Sequence, residues 1–318
     1  MSDPICLESR DYGSRILQQQ YPPVLRHPHK QSVYDLCLAA GYRADGTLKY
    51  SQWKLPHLPE SIPAQRVEIS ALPGYFDYAV SARSIWYLNF ADPRLFFAYG
   101  SGLFAQDEIQ VLEHPILGCL REALAATGAH PQTVDRDGPT PILVQNAERV
   151  CFVDADPSDL APYGLYGNRF QSATPEAIRT ALRILSKPTS TNLIAIAAPV
   201  GQGQYSSEQI KSILQTAYCG FRAAVLLSPD TSSEIHTGFW GCGAFGGNRP
   251  LMVLLQLIAA QLAQVKRLVF HLGSVGEQPA FDEGELRLKH LLRDNSSVDS
   301  VIPKIVALGY RWGQSDGN

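Results

Sequence analysis

A glycine-rich segment, residues 238–248, has the composition of a loop that binds a phosphate group. Its five glycines let the backbone turn sharply and approach a ligand without a Cβ in the way. Pro250 suits the first turn of a following helix, whose exposed amides and dipole favour an anion. No Lys-Ser or Lys-Thr pair follows, so this glycine loop is not a Walker loop, and its G-x-G-x-x-G spacing lacks the context of a dinucleotide fingerprint. A tight turn that packs its aromatic side chains into the core remains the alternative.

A second segment places two adjacent acids, Asp107 and Glu108, after a glycine turn and at the start of a predicted helix. Acidic side chains in a first helical turn stabilise the helix by about 0.3–1 kcal/mol, so helix capping alone could explain this acid pair. The same chemistry serves glycosidic bond hydrolysis, which needs an acid to protonate the departing oxygen and a base to activate water. The residues alone leave both explanations open.

An aromatic loop, residues 163–170, follows the apolar run at 150–153 and carries two tyrosines. A planar ring there could lie over an adenine base, and the alternative is a surface turn.

Asp77, ahead of the apolar run at 85–90, is a candidate for hydrogen bonding to the adenine amino group. Four histidines have no metal-like spacing and are expected at the surface: His27, His29, His57 and His114.

The glycine loop and two further segments resemble one known family. The letters TGFWGCGAFGGN, which end at Asn248, are similar to the corresponding stretch of poly(ADP-ribose) glycohydrolases. Residues 217–221, AYCGF, resemble a second segment of that family at a similar distance upstream. Residues 106–108, Gln-Asp-Glu, resemble the family's Gln-Glu-Glu signature with one conservative change. The resemblance covers residues 85–275.

The resemblance implies a site for ADP-ribose. The family's catalytic residue falls on Glu108, as acid and then base, and Asp107 would orient the ribose hydroxyls or the leaving group. Asp92 stands where the family has an amide that contacts ribose, and Tyr166 matches its ligand-stacking tyrosine. Neither a metal nor a cofactor is implied, because one glutamate can make both proton transfers. The ligand-binding residues expected in this way, together with the adenine candidate, are Gln106, Asp92, Tyr166, Gly241, Cys242, Gly243, Ala244, Phe245, Gly246 and Asp77.

One loop departs from the family's pattern. The family has three consecutive glycines ahead of the acidic signature, in the loop that holds the diphosphate. The matching stretch here, the 95–99 loop, contains Phe96 and Phe97, which cannot let a phosphate approach the backbone as glycine does. Leu272 also replaces an aromatic residue near the family's ligand. Either the loop is rebuilt, or the catalytic end of the site serves a different substrate.

Short apolar runs alternate with longer helical patterns, which is typical of a sheet covered by helices on both faces. The expected fold is a macrodomain-like three-layer α/β/α sandwich with a central mixed, largely parallel sheet over residues 66–318. Residues 1–65, which are rich in proline, are predicted to form a mostly helical or irregular extension. The predicted strands are 85–90, 141–144, 150–153, 193–198, 223–227 and 268–272. The predicted helices are 14–20, 32–40, 107–126, 174–185, 207–218, 250–265, 283–292 and 298–308.

Composition narrows the class of protein. A net charge of -3 over 318 residues gives no reason to expect non-specific nucleic-acid binding. The six cysteines form no CxxC pair, which argues against a structural zinc site and a disulfide scaffold. The N-terminus lacks the apolar segment of a signal peptide, and the longest apolar stretch, 251–263, is too short to span a membrane. We therefore expect a cytoplasmic protein without a membrane partner, and leave open its delivery to another cell.

These observations support three functional hypotheses. The first is a hydrolase that removes ADP-ribose from a modified target, with mono-ADP-ribosylated protein favoured over poly(ADP-ribose) because the 95–99 loop departs from the chain-cleaving pattern. The second is a non-catalytic reader of ADP-ribose, which the same departure motivates and the retained acid pair opposes. The third is an enzyme that acts on free NAD-derived nucleotides.

Overall fold

The computed structural model describes most of the 318 residues. The described ranges are 2–64, 67–78, 84–128, 131–229, 233–273, 276–293 and 297–315. The strands in these ranges are β1 Ile5–Gly13, β2 Thr47–Lys54, β3 Glu68–Leu72, β4 Ser84–Ala91, β5 Val134–Asp135, β6 Gly138–Pro139, β7 Ile142–Val153, β8 Leu182–Ala197, β9 Ser233–Thr237 and β10 Arg267–His271. The helices are α1 Ser14–Gln20, α2 Pro28–Ala39, α3 Gln106–Glu113, α4 Pro115–Ala126, α5 Arg169–Ser172, α6 Pro175–Ala181, α7 Ser207–Leu227, α8 Arg249–Ala263, α9 Gln278–Leu291 and α10 Val298–Ala307.

Eight of the described strands form one mixed sheet in the order β1-β2-β7-β8-β4-β9-β10-β3. The half from β8 to β3 is parallel, and β1, β2, β7 and β8 pair antiparallel. Strands β5 and β6 form a separate two-stranded ribbon. The parallel half is the part that matters for a ligand, because its strands end at one common edge.

Helices cover both faces of the sheet, as predicted for a three-layer sandwich. Alternating residues of β4 show the division: Trp86 and Leu88 point into the core formed with α7 to α10, whereas Ile85 and Tyr87 point into the core formed with α1 to α4. Helix α8, buried along almost its whole length, packs between α7 and α9. No helix among the described residues is long and apolar enough to cross a membrane.

The N-terminal residues do not form the mostly helical extension that we predicted. They contain α1 and α2 at the expected places, but also β1 and β2, which extend the main sheet beside β7. Nearly all side chains of β1 are at least partly exposed, so this edge strand has no apolar run that would reveal it. The division into 1–65 and 66–318 stays a prediction, and the sheet takes strands from both sides of it.

Other predicted elements change at particular residues. The strand predicted at 223–227 is the end of α7, whose apolar residues pack against the core as helix. The helix predicted at 107–126 is broken by Pro115, which begins α4 directly after His114. The runs at 141–144 and 150–153 belong to one strand, β7, with two register irregularities against β8. The helix predicted at 174–185 ends at Ala181, where β8 begins.

Candidate functional site

The parallel half of the sheet directs several loops to one edge. The 95–99 loop follows β4, the glycine loop follows β9, and residues 73–78 follow β3. Helix α3 starts at this edge, because the Gln106 side chain makes two hydrogen bonds to the end of β4. The Gln106 Oε1 atom accepts from the Phe90 backbone N–H at 2.7 Å, and its Nε2 donates to the Leu88 carbonyl at 2.9 Å. Gln106, predicted to bind ligand, thus holds the acid pair in position.

Asp107 is buried against the end of β4. Its Oδ1 accepts from Asn89 Nδ2 at 2.9 Å, and the same amide group donates to Gln110 Oε1 at 2.9 Å. Burial raises the pKa of Asp107 well above its usual value, and the neighbouring charge of Glu108 raises it further. Asn89 therefore fixes the direction of a carboxyl group that tends to hold its proton.

Glu108 is also buried, with 4% of its surface exposed. Its Oε2 accepts from the Ala105 backbone N–H at 3.1 Å, so it does cap the start of α3. Burial raises the pKa of Glu108, while the charge of Lys30 and two backbone hydrogen bonds act in the opposite direction. A carboxyl group with a raised pKa is suited to donate a proton near neutral pH.

Lys30, on α2, is a fully buried cation next to the acid pair. Its ammonium donates to the carbonyl oxygens of Tyr99 at 2.7 Å and Leu103 at 2.6 Å. Burial lowers the pKa of Lys30 to about 8, against the charges of Glu108 and Asp107, which raise it. The sequence does not predict this position for Lys30, because nothing in its own segment distinguishes it from a surface lysine.

The 95–99 loop packs against the N-terminal residues. Phe96 is fully buried at a φ of 52°, a left-handed conformation that costs a residue with a side chain about 1–3 kcal/mol. Phe97 is partly exposed, with the Arg94 guanidinium carbon 3.3 Å from its ring centre. The Val24 backbone N–H donates to the Tyr99 hydroxyl at 2.7 Å. This loop is therefore filled by packed aromatic side chains, and a phenylalanine holds its left-handed position.

Asp92 lies between β4 and the 95–99 loop and is partly exposed. Its Oδ1 accepts from the Arg94 backbone N–H at 2.8 Å, and the Arg94 guanidinium lies 3.6 Å from the same oxygen. Asp92 thus follows the end of β4, with its side chain turned to its own loop. A ribose contact by Asp92 stays a prediction.

The glycine loop folds back on itself. The Gly247 backbone N–H donates to the Gly241 carbonyl at 2.9 Å, and a Cβ on Gly247 would lie 2.6 Å from that oxygen. The side chain of Cys242 is buried in the core, so only its backbone can face a ligand. Ala244 and Phe245 are exposed at the tip, where 41% of Phe245 is accessible. The tip, Gly243 to Phe245, is the part of the loop that a ligand can reach.

The aromatic loop meets the segment that leads into the acid pair. The backbone groups of Gly167 and Phe104 exchange two hydrogen bonds, at 3.1 and 2.9 Å. Phe104 stacks on Phe170 with their ring centres 4.2 Å apart. Tyr166, which is partly buried, is thereby brought near the start of α3. Its stacking on a ligand stays a prediction.

Asp77 lies beside two histidines that sequence analysis did not select. The ligand atoms of Asp77, His236 and His271 all lie within 4.8 Å of one another. Both histidines are buried and Asp77 is exposed. Burial lowers the pKa of both imidazoles, to about 4 for His271. The three residues come from different loops and strands, so no local spacing in the sequence could reveal them.

Comparison with known proteins supports the resemblance found in the sequence. Residues 147–277 match the family model described as "Poly (ADP-ribose) glycohydrolase (PARG), Macro domain fold". This range contains the aromatic loop and the glycine loop, but it begins well after residues 106–108, which lie outside it. The match therefore bears on the ligand loops, and the assignment of the acid pair stays a prediction.

Solved structures with similarity to this chain include two bacterial poly(ADP-ribose) glycohydrolases. The enzyme from Thermomonospora curvata is 15% identical, with a TM-score of 0.46, over 88% of this chain and 85% of that one. The enzyme from Deinococcus radiodurans, in complex with ADP-ribose, is 11% identical, with a TM-score of 0.44, over 89% of this chain and 95% of that one.

Proposed function

We propose that the chain is a divergent member of the poly(ADP-ribose) glycohydrolase family, and that it hydrolyses the glycosidic bond between ADP-ribose and a modified target. The observation that carries this proposal is the buried acid pair at the start of α3, where burial raises the pKa of both carboxyl groups. Helix capping alone does not require burial, since the first-turn acid Glu176 of α6 is exposed.

In the proposed reaction Glu108 acts first as acid and then as base. Its carboxyl proton passes to the departing oxygen as the bond from the ribose anomeric carbon to that oxygen breaks. The positive charge that develops on the ribose is of the oxocarbenium type. Water then attacks the same carbon and gives a proton to the Glu108 carboxylate, which restores the starting state. Asp107, held by Asn89, would orient the ribose hydroxyl groups.

The remaining loops would hold the nucleotide. Backbone N–H groups at the tip of the glycine loop can donate to the phosphates, because glycine and alanine leave them accessible. Phe245 is exposed at that tip and would lie against the ribose or base. Tyr166 would contact the nucleotide from the side opposite Phe245. We propose no role for a metal in this step, because Glu108 can supply both proton transfers.

The substrate we propose is a mono-ADP-ribosylated protein rather than poly(ADP-ribose). The support is the 95–99 loop, where Phe96 is buried in place of the glycines that the resemblance would require. A loop filled by side chains leaves less room beside the diphosphate for a long polymer. Parallel assays with a mono-ADP-ribosylated protein and with poly(ADP-ribose) test this preference, and faster release from the polymer would contradict it.

Glu108→Gln tests the mechanism, because glutamine keeps the size of the side chain and cannot transfer the proton. We expect release of ADP-ribose from a mono-ADP-ribosylated protein to fall by about 10²- to 10⁴-fold, with ADP-ribose binding retained. Glu176→Gln, at an exposed first-turn acid, is the matched control and should leave release unchanged. Binding of ADP-ribose without release by the wild type would favour the reader hypothesis, which the crowded 95–99 loop also supports.

A further inference from the structure

We propose that Asp77, His236 and His271 form a binding site for one divalent transition metal ion, of the class represented by Zn²⁺. The three side chains meet at the carboxyl ends of β9 and β10, where residues 73–78 cross the edge of the sheet. Their ligand atoms lie within 4.8 Å of one another. Two imidazoles and one carboxylate are a donor set that zinc accepts in proteins while keeping a further position open.

The two imidazoles face each other directly. His236 Nδ1 lies 2.8 Å from His271 Nε2, so one of these nitrogens donates its proton to the other. In a tetrahedral site with Zn–N bonds of about 2.0–2.1 Å the two nitrogens would be about 3.3 Å apart, so the rings need to separate by only about half an ångström. The geometry of the two histidines is therefore close to that of a bound pair.

His236 is held in the tautomer that a metal ligand requires. Its Nε2 lies 2.9 Å from Glu234 Oε1, and a carboxylate there accepts the ring proton and leaves the Nδ1 lone pair directed at His271. Glu234 is in turn held by Arg267, whose Nη1 lies 3.5 Å from Glu234 Oε2. A carboxylate behind a ligating histidine is the usual support in protein metal sites.

His271 can release its Nε2 without gaining charge. Its second ring nitrogen, Nδ1, is buried, and a hydrogen bond with the Tyr75 backbone acts on this ring. The ring proton can move to that nitrogen when Nε2 binds the ion, so both imidazoles remain neutral. Aromatic rings hold both histidines in place, since Tyr87 lies against His236 and Phe76 against His271.

The cluster has a protected side and an accessible side. His236 and His271 are 3% and 6% exposed, whereas Asp77 is exposed at the mouth of the cluster. An ion can therefore enter past Asp77 and reach two fixed nitrogens. Both histidines lie on the sheet face that also carries Asn89, and thus on the face of the acid pair.

Calorimetric titration with Zn²⁺ alone tests the proposal on the full chain. The protein carries Cys6→Ser, because Cys6 is the exposed thiol among the described cysteines, and is first stripped with a chelator. We expect one Zn²⁺ per chain and no comparable binding of Mg²⁺, which prefers oxygen ligands. Failure of this Cys6→Ser protein to bind Zn²⁺ would overturn the proposal.

Variants then assign the ligands. Asp77→Asn changes an exposed side chain, so it should fold normally and weaken Zn²⁺ binding at least 10-fold. Glu234→Gln should weaken binding by about 10- to 100-fold, as expected for the support of a ligating histidine. His271→Gln should abolish it, whereas His57→Gln, at an exposed histidine, is the control and should not change it. Wild-type affinity in both Asp77→Asn and His271→Gln would overturn the proposal.

The visible spectrum of bound Co²⁺ separates a metal site from a hydrogen-bonded relay of Glu234, His236 and His271. Intense d–d absorption that disappears in His271→Gln supports the metal site, and a spectrum equal to that of aqueous Co²⁺ contradicts it. None of these measurements uses ADP-ribose. Loss of the proposed hydrolytic function therefore leaves this proposal standing, and the reverse is also true.

Discussion

At the scale of single residues, the two carboxyl groups of the acid pair are held by different partners. Asp107 is oriented by the side chain of Asn89, whereas Glu108 is anchored by the backbone of Ala105 and faces the charge of Lys30. Asp107 is thus fixed by a side chain and Glu108 by a backbone group, and the charge of Lys30 lowers the pKa of both carboxyl groups, that of Glu108 more than that of Asp107. This difference is consistent with one carboxyl that orients substrate and one that transfers the proton.

Lys30→Met should move the pH profile of ADP-ribose release. The cation favours the ionised form of Glu108, so its removal raises the pKa of that carboxyl further. The acid form then persists to higher pH, and the alkaline limb of kcat should shift upward. The measurement is kcat against pH for both proteins, with chemical denaturation to confirm folding. A fall in kcat without movement of the alkaline limb would mean that Lys30 only supports the loop.

Some residues of the site could be predicted from the sequence and others could not. The glycine loop and the acid pair were found because their residues are adjacent in the chain and keep a family's order. Lys30 is 77 residues from Asp107, and His236 is 35 residues from His271, so only the fold brings each pair together. Rules on the spacing of site residues within one segment therefore cannot predict such pairs.

At the scale of elements, α3 depends on the Gln106 side chain for its position on β4. Gln106→Ala removes two hydrogen bonds, each with a net contribution of about 0.5–1.5 kcal/mol. We expect the free energy of unfolding to fall by about 1–3 kcal/mol and ADP-ribose release to slow, since the acid pair would shift. Urea unfolding measures the first effect. Gln278→Ala, at an exposed side chain on α9, is the control and should cost less than half as much.

The glycine loop leaves no space for a side chain at Gly246. Gly246 has a φ of 62°, and a Cβ there would lie 2.7 Å from the Gly313 carbonyl oxygen. Gly203 has a φ of 72° with nothing within 4 Å of its Cβ position. Gly246→Ala should therefore lower the melting temperature and weaken ADP-ribose binding. Gly203→Ala should show only the backbone strain, about 1 kcal/mol, and keep binding. Equal effects of the two changes on binding would show that the close packing of the loop is unimportant.

The sequence does not predict strands that lack an apolar run, including β9, where all five residues are buried but four are polar. Most of β1 is exposed at the sheet edge, and β3 at the other edge is only partly buried, so neither has an apolar run. The apolar run at 223–227 was read as a strand, although helix α7 continues through it. Apolar runs of this length do not distinguish a buried strand from a buried helix.

At the scale of the whole molecule, the N-terminal residues complete the sheet and support the site. Strands β1 and β2 extend the sheet beside β7, and Lys30 binds two carbonyl groups of the segment that leads to α3. A fragment of residues 66–318 should therefore lack a stable fold. Far-UV circular dichroism and hydrogen exchange measure this. A cooperative, folded fragment that still releases ADP-ribose would show that residues 1–65 are dispensable.

Calorimetry with ADP-ribose tests the central claim most directly, because both the hydrolase and the reader hypotheses depend on recognition of that nucleotide. We predict that the wild type binds one ADP-ribose, and that Phe245→Ala binds it about 3- to 10-fold more weakly, as expected for the loss of one aromatic contact. Phe97→Ala, at a partly exposed ring of the 95–99 loop, provides the comparison. No detectable binding by the folded wild type would contradict the account.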